Sequence, residues 1–240
     1  MHRLLVLAML LLLGCGRGPT APVVGAAASL RTVMPALVAA FGQDVVVTYG
    51  ASGTLRQQVE AGAPIDAVIF AAEEPVAALM QAGLADPSTR RRVATNDLVL
   101  IVPADSKRVI TWQTLVSLPV TEKLAIGEPG AVPAGSYARA ALQALGTWDA
   151  LQDRIVFAGD VGAVLTYARR GEAAVAAVYA TDVIGIADVR VVDAADWEGA
   201  PRPEIVGVAI TDSARARAFL EFVASPEGAR ILQGAGFGPA

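Results

Sequence analysis

From residue 23 onward one unit recurs: a short apolar run, a turn of small residues, then a stretch with helical spacing. The runs 23–27, 45–49, 66–71, 97–103, 123–127, 154–158, 173–179, 189–192 and 205–211 are apolar with little alternation. Strands of that kind are buried on both faces. Helical stretches between them supply the crossovers that parallel strands require. The pattern predicts an α/β fold of mostly parallel sheets flanked by helices.

The helical stretches have recognisable limits. After Ser29, residues Leu30, Val33, Met34, Leu37, Val38 and Phe41 share one helix face. Pro35 removes a backbone donor there, which predicts a kink or a later helix start. Further helices are expected at 52–61, 74–82, 136–145, 162–170, 181–187, 213–224 and 226–234, with a short one near 112–118. Gly62, Gly83, Gly146 and Gly171 stand where such helices end. Runs 97–103 and 205–211 are the natural crossings between two lobes. Lobe 1 is then 23–98 plus 208–240, and lobe 2 is 99–207. A cleft between lobes is a common place for a small ligand.

Residues 1–14 belong outside this fold. The apolar run 4–13 follows Arg3 and, as a helix, rises only about 15 Å, half a bilayer core. It reads as a signal peptide. The run ends Leu12-Leu13-Gly14-Cys15, which resembles the bacterial lipobox. That resemblance implies cleavage before Cys15, lipid attachment to it, and a tether over 15–22. An acylated cysteine would hold the protein on an extracytoplasmic membrane face.

Loss of the leader limits the chemistry. The chain has 240 residues, one His and one Cys, and the His is His2. A mature chain without it has no Ser-His-Asp triad and no imidazole-ligated metal. One Cys makes no disulfide framework. The net charge of −4 becomes −5 when Arg3 leaves, so nothing favours nucleic acid. Only Lys107 and Lys123 could serve a serine as base, and neither stands beside a serine junction.

Four junctions carry what chemistry remains: 26–30 (AAASL), 50–54 (GASGT), 132–136 (VPAGS) and 159–163 (GDVGA). At each, unpaired N–H groups of a first helical turn face the crevice beyond the strands. The helix dipole adds partial positive charge. Small residues, Gly135 and Gly162 among them, leave a ligand room. Taken singly, such a junction is most simply a capped helix start. Taken together, two from each lobe could surround one compact anion. The remaining polar features read more simply. Arg90-Arg91-Arg92 reads as a solvated turn and Glu73-Glu74 as a complement to a helix dipole. Asp160 and Asp182 read as caps or lobe links near the cleft. The 50–54 turn lacks the final glycine of a nucleophile elbow, and 127–135 lacks the Gly-Lys-Ser/Thr of a phosphate loop.

Four segments, AAASL (26–30), YGASGTLRQQVEAGAPID (49–66), VPAGSYARAALQALGTWD (132–149) and VYATD (178–182), resemble the molybdate-binding proteins of bacterial ABC uptake systems. The resemblance spans nearly all of 23–240. It implies a two-lobed periplasmic-binding-protein-like fold with the anion in the interlobe cleft. Ser29 and Ser52 then correspond to hydroxyl ligands, Ala134 and Val161 to backbone N–H donors, and Tyr179 to a phenol donor. Gly25 and Phe70-Ala71 depart from the family's usual residues at positions that bind nothing.

The implied ligand is molybdate, with tungstate beside it; molybdenum is present only as the oxyanion, with no direct protein ligand. No cofactor and no catalytic residue are implied. The partners are the permease of an ABC transporter and, through the lipid, the membrane; the protein is expected to be a monomer. Such dianions carry no proton near neutrality, so a set made only of donors suits them. Sulfate or another tetrahedral oxyanion is the rival ligand within the binding class. A sensory binding lipoprotein is the rival role.

Overall fold

The computed structural model describes residues 21–240. The expected leader, Cys15 and most of the tether lie outside the described residues. Among the described residues no helix is long and apolar enough to cross a membrane.

The first half of the chain gives β1 (Val23–Ala27), α1 (Met34–Phe41), β2 (Val46–Gly50), α2 (Ser52–Glu60), β3 (Ala67–Phe70), α3 (Glu73–Gln81), β4 (Arg91–Thr95) and β5 (Leu98–Pro103). The second half gives β6 (Leu124–Gly127), α4 (Pro133–Ala144), α5 (Trp148–Leu151), β7 (Ile155–Ala158), α6 (Val161–Arg169), β8 (Val175–Tyr179), β9 (Val189–Ala194), β10 (Glu204–Ala209), α7 (Ala214–Val223) and α8 (Pro226–Gly234). They build two five-stranded sheets, ordered β2-β1-β3-β10-β4 and β7-β6-β8-β5-β9.

Both sheets are mixed yet mostly parallel in sense, as expected: in each, four strands run one way and one is reversed. In the first, β1 runs parallel to β2 and β3, but β10 is antiparallel to β3 and β4. In the second, β6 is parallel to β7 and β8, but β5 is antiparallel to β8 and β9. The reversed strands, β5 and β10, are the ones that enter each sheet directly from the other. Only the strands joined by helical crossovers are held to the parallel sense.

The first crossing lies at 96–97. The return lies at 195–203, because all of β10 belongs to the first sheet. The expected switch at 207/208 would cut that strand in two. Helices α7 and α8 return to the first sheet, where Phe219, Leu220, Val223 and Leu232 join Leu30, Met34 and Leu37 in one core. A second core on the other sheet holds Leu98, Leu100, Trp112, Leu124, Ile126 and Leu142.

Local chemistry explains the remaining differences. Pro35 sits in the first turn of α1, where its missing N–H costs nothing, and a 3-10 turn over Ala28–Leu30 precedes it. The stretches expected as helices near 112–118 and at 181–187 shorten to 3-10 turns, Leu115–Ser117 and Ala180–Val183. Pro119 and Gly185, at φ +77°, follow them. Arg90-Arg91-Arg92 is not a solvated turn. Arg91 and Arg92 begin the edge strand β4, and the three pair with Glu73, Glu221 and Glu204.

Candidate functional site

The starts of α2, α4 and α6 and the 3-10 turn at 28–30 converge between the two sheets. They line a small cavity with room for about one water molecule. Ala28, Ser29, Ala51, Ser52 and Ala71 line it from the first sheet; Ala134, Asp160, Val161 and Tyr179 line it from the second. All five residues singled out as ligands therefore face one cavity. Room for about one water is tight for four oxygens around a metal, so an oxyanion enters only if the lobes part.

The cavity is a set of donors with few internal acceptors. The Ser29 hydroxyl is buried and has no hydrogen-bond partner. Leaving such a group unpaired costs roughly 1–3 kcal/mol, which a ligand oxygen would recover. The Ser52 hydroxyl oxygen accepts the Ala71 N–H at 3.1 Å, so its own O–H is left to donate. Tyr179 is buried and donates to the Ala71 carbonyl at 3.3 Å, a long bond. Burial first, then the neighbouring Tyr137 and Asp182, push its phenol well above the usual range. Tyr179 thus keeps its proton and remains a donor.

Backbone N–H groups complete the set. At α4 the first bonds are made by Gly135 and Ser136, both to the Val132 carbonyl. At α6 they are made by Ala163, to the Asp160 carboxylate at 2.8 Å, and by Val164, to the Asp160 carbonyl. Ala134 and Val161, earlier in those helices, are left with N–H groups that no described residue accepts.

Three features refine the picture drawn from sequence. Asp160 lines the cavity as the N-cap of α6, so the walls include one carboxylate and are not made of donors alone. Asp182 accepts the Tyr179 N–H at 3.0 Å. Burial of its carboxyl first, then the charge of Asp160, raises its pKa to about 7 against the backbone bond that lowers it, although the residue keeps some contact with solvent. Ala71 was missed as a participant: its N–H and carbonyl hold Ser52 and Tyr179, and no side-chain pattern marks such a role.

Gly135 leaves room for its own fold and not for a ligand. A Cβ there would lie 1.9 Å from the Gly127 carbonyl oxygen. Gly162 is freer, with only the Asp160 carboxylate at 3.2 Å. Among the described residues no Arg or Lys lines the cavity. Among the described residues no cluster of three His, Cys, Asp or Glu could hold a metal ion.

Comparison with known proteins agrees with this architecture. The family model for bacterial extracellular solute-binding proteins matches residues 22–238. Molybdate-binding protein ModA of Escherichia coli (strain K12) is 34% identical over 227 residues, covering 88% of this chain and 86% of that protein. A Bacillus subtilis (strain 168) protein, provisionally named ABC transporter substrate-binding lipoprotein YvgL, is 32% identical over 79% of this chain and 73% of its own. The solved periplasmic molybdate-binding protein of Azotobacter vinelandii superposes with a TM-score of 0.74 at 25% identity, over 90% of this chain and 98% of that one.

Proposed function

Since the chain belongs to the family of bacterial extracellular solute-binding proteins, we propose that it captures molybdate outside the cytoplasm and delivers it to the permease of an ABC transporter. The observation that carries this reading is the unpartnered, buried Ser29 hydroxyl, which shares one cavity with the free N–H groups of Ala134 and Val161. The chain is a binding protein and not an enzyme, as its family is.

Molybdate and tungstate are dianions that only accept hydrogen bonds. Ser29 and Ser52 would donate hydroxyls, Ala134 and Val161 backbone N–H groups, and Tyr179 its phenol, turned from the Ala71 carbonyl toward the anion. Each charge-assisted bond contributes roughly 1.5–3 kcal/mol. Five such bonds would offset dehydration of the dianion and the cost of closing the lobes. The absence of a lining cation favours release, since no countercharge is left buried and unpaired when the anion departs. Asp160 adds repulsion that the donors must exceed. Its carboxylate already accepts the Ala163 N–H, which turns part of its charge toward α6.

We further infer that tungstate binds in the same way, that the protein is a monomer, and that Cys15 carries a lipid anchor. The Leu-Leu-Gly-Cys sequence supports the anchor, as does the lipoprotein name of the Bacillus relative. Mass spectrometry of protein from its native membrane should find Cys15 acylated at a new N-terminus; an unmodified Cys15 contradicts the anchor.

Thermal melting tests the ligand assignment. An anion at a hundred times its Kd stabilises the fold by about 2.7 kcal/mol. Molybdate and tungstate should raise Tm by several degrees, and sulfate and phosphate at the same concentration should not. A larger rise with sulfate would reassign the site to that anion.

A further inference from the structure

We propose that Gly53, Ala131, Tyr137 and Glu204, on one flank of the cleft, form a latch that sets how long the anion stays bound. The proposal builds on the binding function put forward above, and none of the four residues lines the anion cavity.

Two hydrogen bonds cross between the lobes on this flank. Gly53, in the first turn of α2, donates its N–H to the Ala131 carbonyl at 3.0 Å. Tyr137, on α4, accepts the N–H of Glu204 at 3.2 Å through its hydroxyl oxygen. The Tyr137 ring also packs against both hydrophobic cores. A groove lined by Gly53, Ala131, Tyr137 and Pro201 leaves this flank otherwise loosely filled. The two bonds and the Tyr137 ring are thus the contacts that join the lobes beside this groove.

Gly53 owes its lack of a side chain to the opposite lobe. A Cβ at 53 would stand 2.7 Å from the Ala131 carbonyl oxygen and 2.8 Å from the Gly130 oxygen, both backbone atoms. Its φ is not in the left-handed region, so α2 itself would accept alanine and even favour it. The facing loop yields little, because Ala131 and Val132 both donate to the Glu128 carbonyl. Alanine at 53 is thus compatible with separated lobes and excluded by this closed arrangement.

Gly53 and Tyr137 act here as positioning residues, and the test must separate lobe closure from folding. Labelled molybdate is loaded and chased with unlabelled molybdate on wild type, Tyr137→Phe and Gly53→Ala. Tyr167→Phe, which alters a tyrosine packed within the second lobe, is the control. Tyr137→Phe removes one partner of a cross-lobe bond and should release about tenfold faster. Association should change less than twofold, and the melting temperature of the anion-free protein should stay within a few degrees. Gly53→Ala should release faster still while melting at or above the wild-type temperature. In small-angle scattering without any anion, Gly53→Ala should also show a larger radius of gyration than wild type.

Unchanged release in both variants overturns the latch, as does a release change matched by Tyr167→Phe. If wild type binds no molybdate, the functional reading fails by itself. The scattering comparison then decides the latch, and equal radii overturn it.

Discussion

The Ser29 hydroxyl is buried without a partner, whereas the Ser52 oxygen accepts the Ala71 N–H. The two serines should therefore respond differently to removal. Ser29→Ala should cost about 1–3 kcal/mol of anion affinity and leave the melting temperature of the anion-free protein unchanged or slightly raised. Ser52→Ala should lower affinity and also cost about 1–3 kcal/mol of stability, because the buried Ala71 N–H loses its acceptor. Calorimetry paired with urea unfolding separates the two outcomes. Asp182 gives a pH signature. Its carboxyl is raised from 3.8 to about 7 in the fold, so the folded chain holds a proton that the unfolded chain releases. Its contribution to stability should fall as pH rises from about 4 to about 7 and stay at that level above. Asp182→Asn keeps an acceptor for the Tyr179 N–H and removes the titration. Its advantage in Tm over wild type should grow between pH 4.5 and 8; a gap that does not change with pH contradicts the assignment.

Helix starts decide the chemistry at the scale of elements. Gly135 lies where α4 presses on β6, and a Cβ there would meet the Gly127 carbonyl oxygen at 1.9 Å. Gly135→Ala should destabilise the fold by roughly 1–3 kcal/mol or more, measured by denaturant unfolding. Gly162→Ala should be far milder, since it meets only the Asp160 carboxylate at 3.2 Å. These junctions were legible in sequence because small residues between an apolar run and a helical stretch have few other uses. Ser29, Ser52, Ala134 and Val161 stand at those junctions and line one cavity with Tyr179, which only the family resemblance had marked. Strand β4 was not legible: it opens with two arginines whose charges are met by Glu221 and Glu204, distant in sequence. The role of Ala71 was hidden too, since its backbone does the work and its side chain carries no signal. Gly135 looked like room for a ligand because sequence shows that a side chain is missing, but not what occupies its place.

Across the whole molecule, the order of strands shows how two lobes share one chain. β5 and β10 enter the second and first sheets against the sense of β8 and β3, and among the described residues the links 96–97 and 195–203 are the only covalent joints between the sheets. Asn96 and Thr181 bond side chain to side chain beside the first link, which ties it to the end of β8. The cavity between the lobes now has room for about one water, so anion entry requires the lobes to part about these two links. The central claim is that this cavity selects molybdate and tungstate over the smaller sulfate and the protonated phosphate. Isothermal titration of ligand-stripped residues 16–240 with molybdate, tungstate, sulfate and phosphate tests it most directly. The account predicts one-to-one binding of molybdate and tungstate at micromolar Kd or tighter, about −8 kcal/mol or stronger, with sulfate and phosphate much weaker. Silence toward molybdate and tungstate, or tighter binding of sulfate or phosphate, would contradict it.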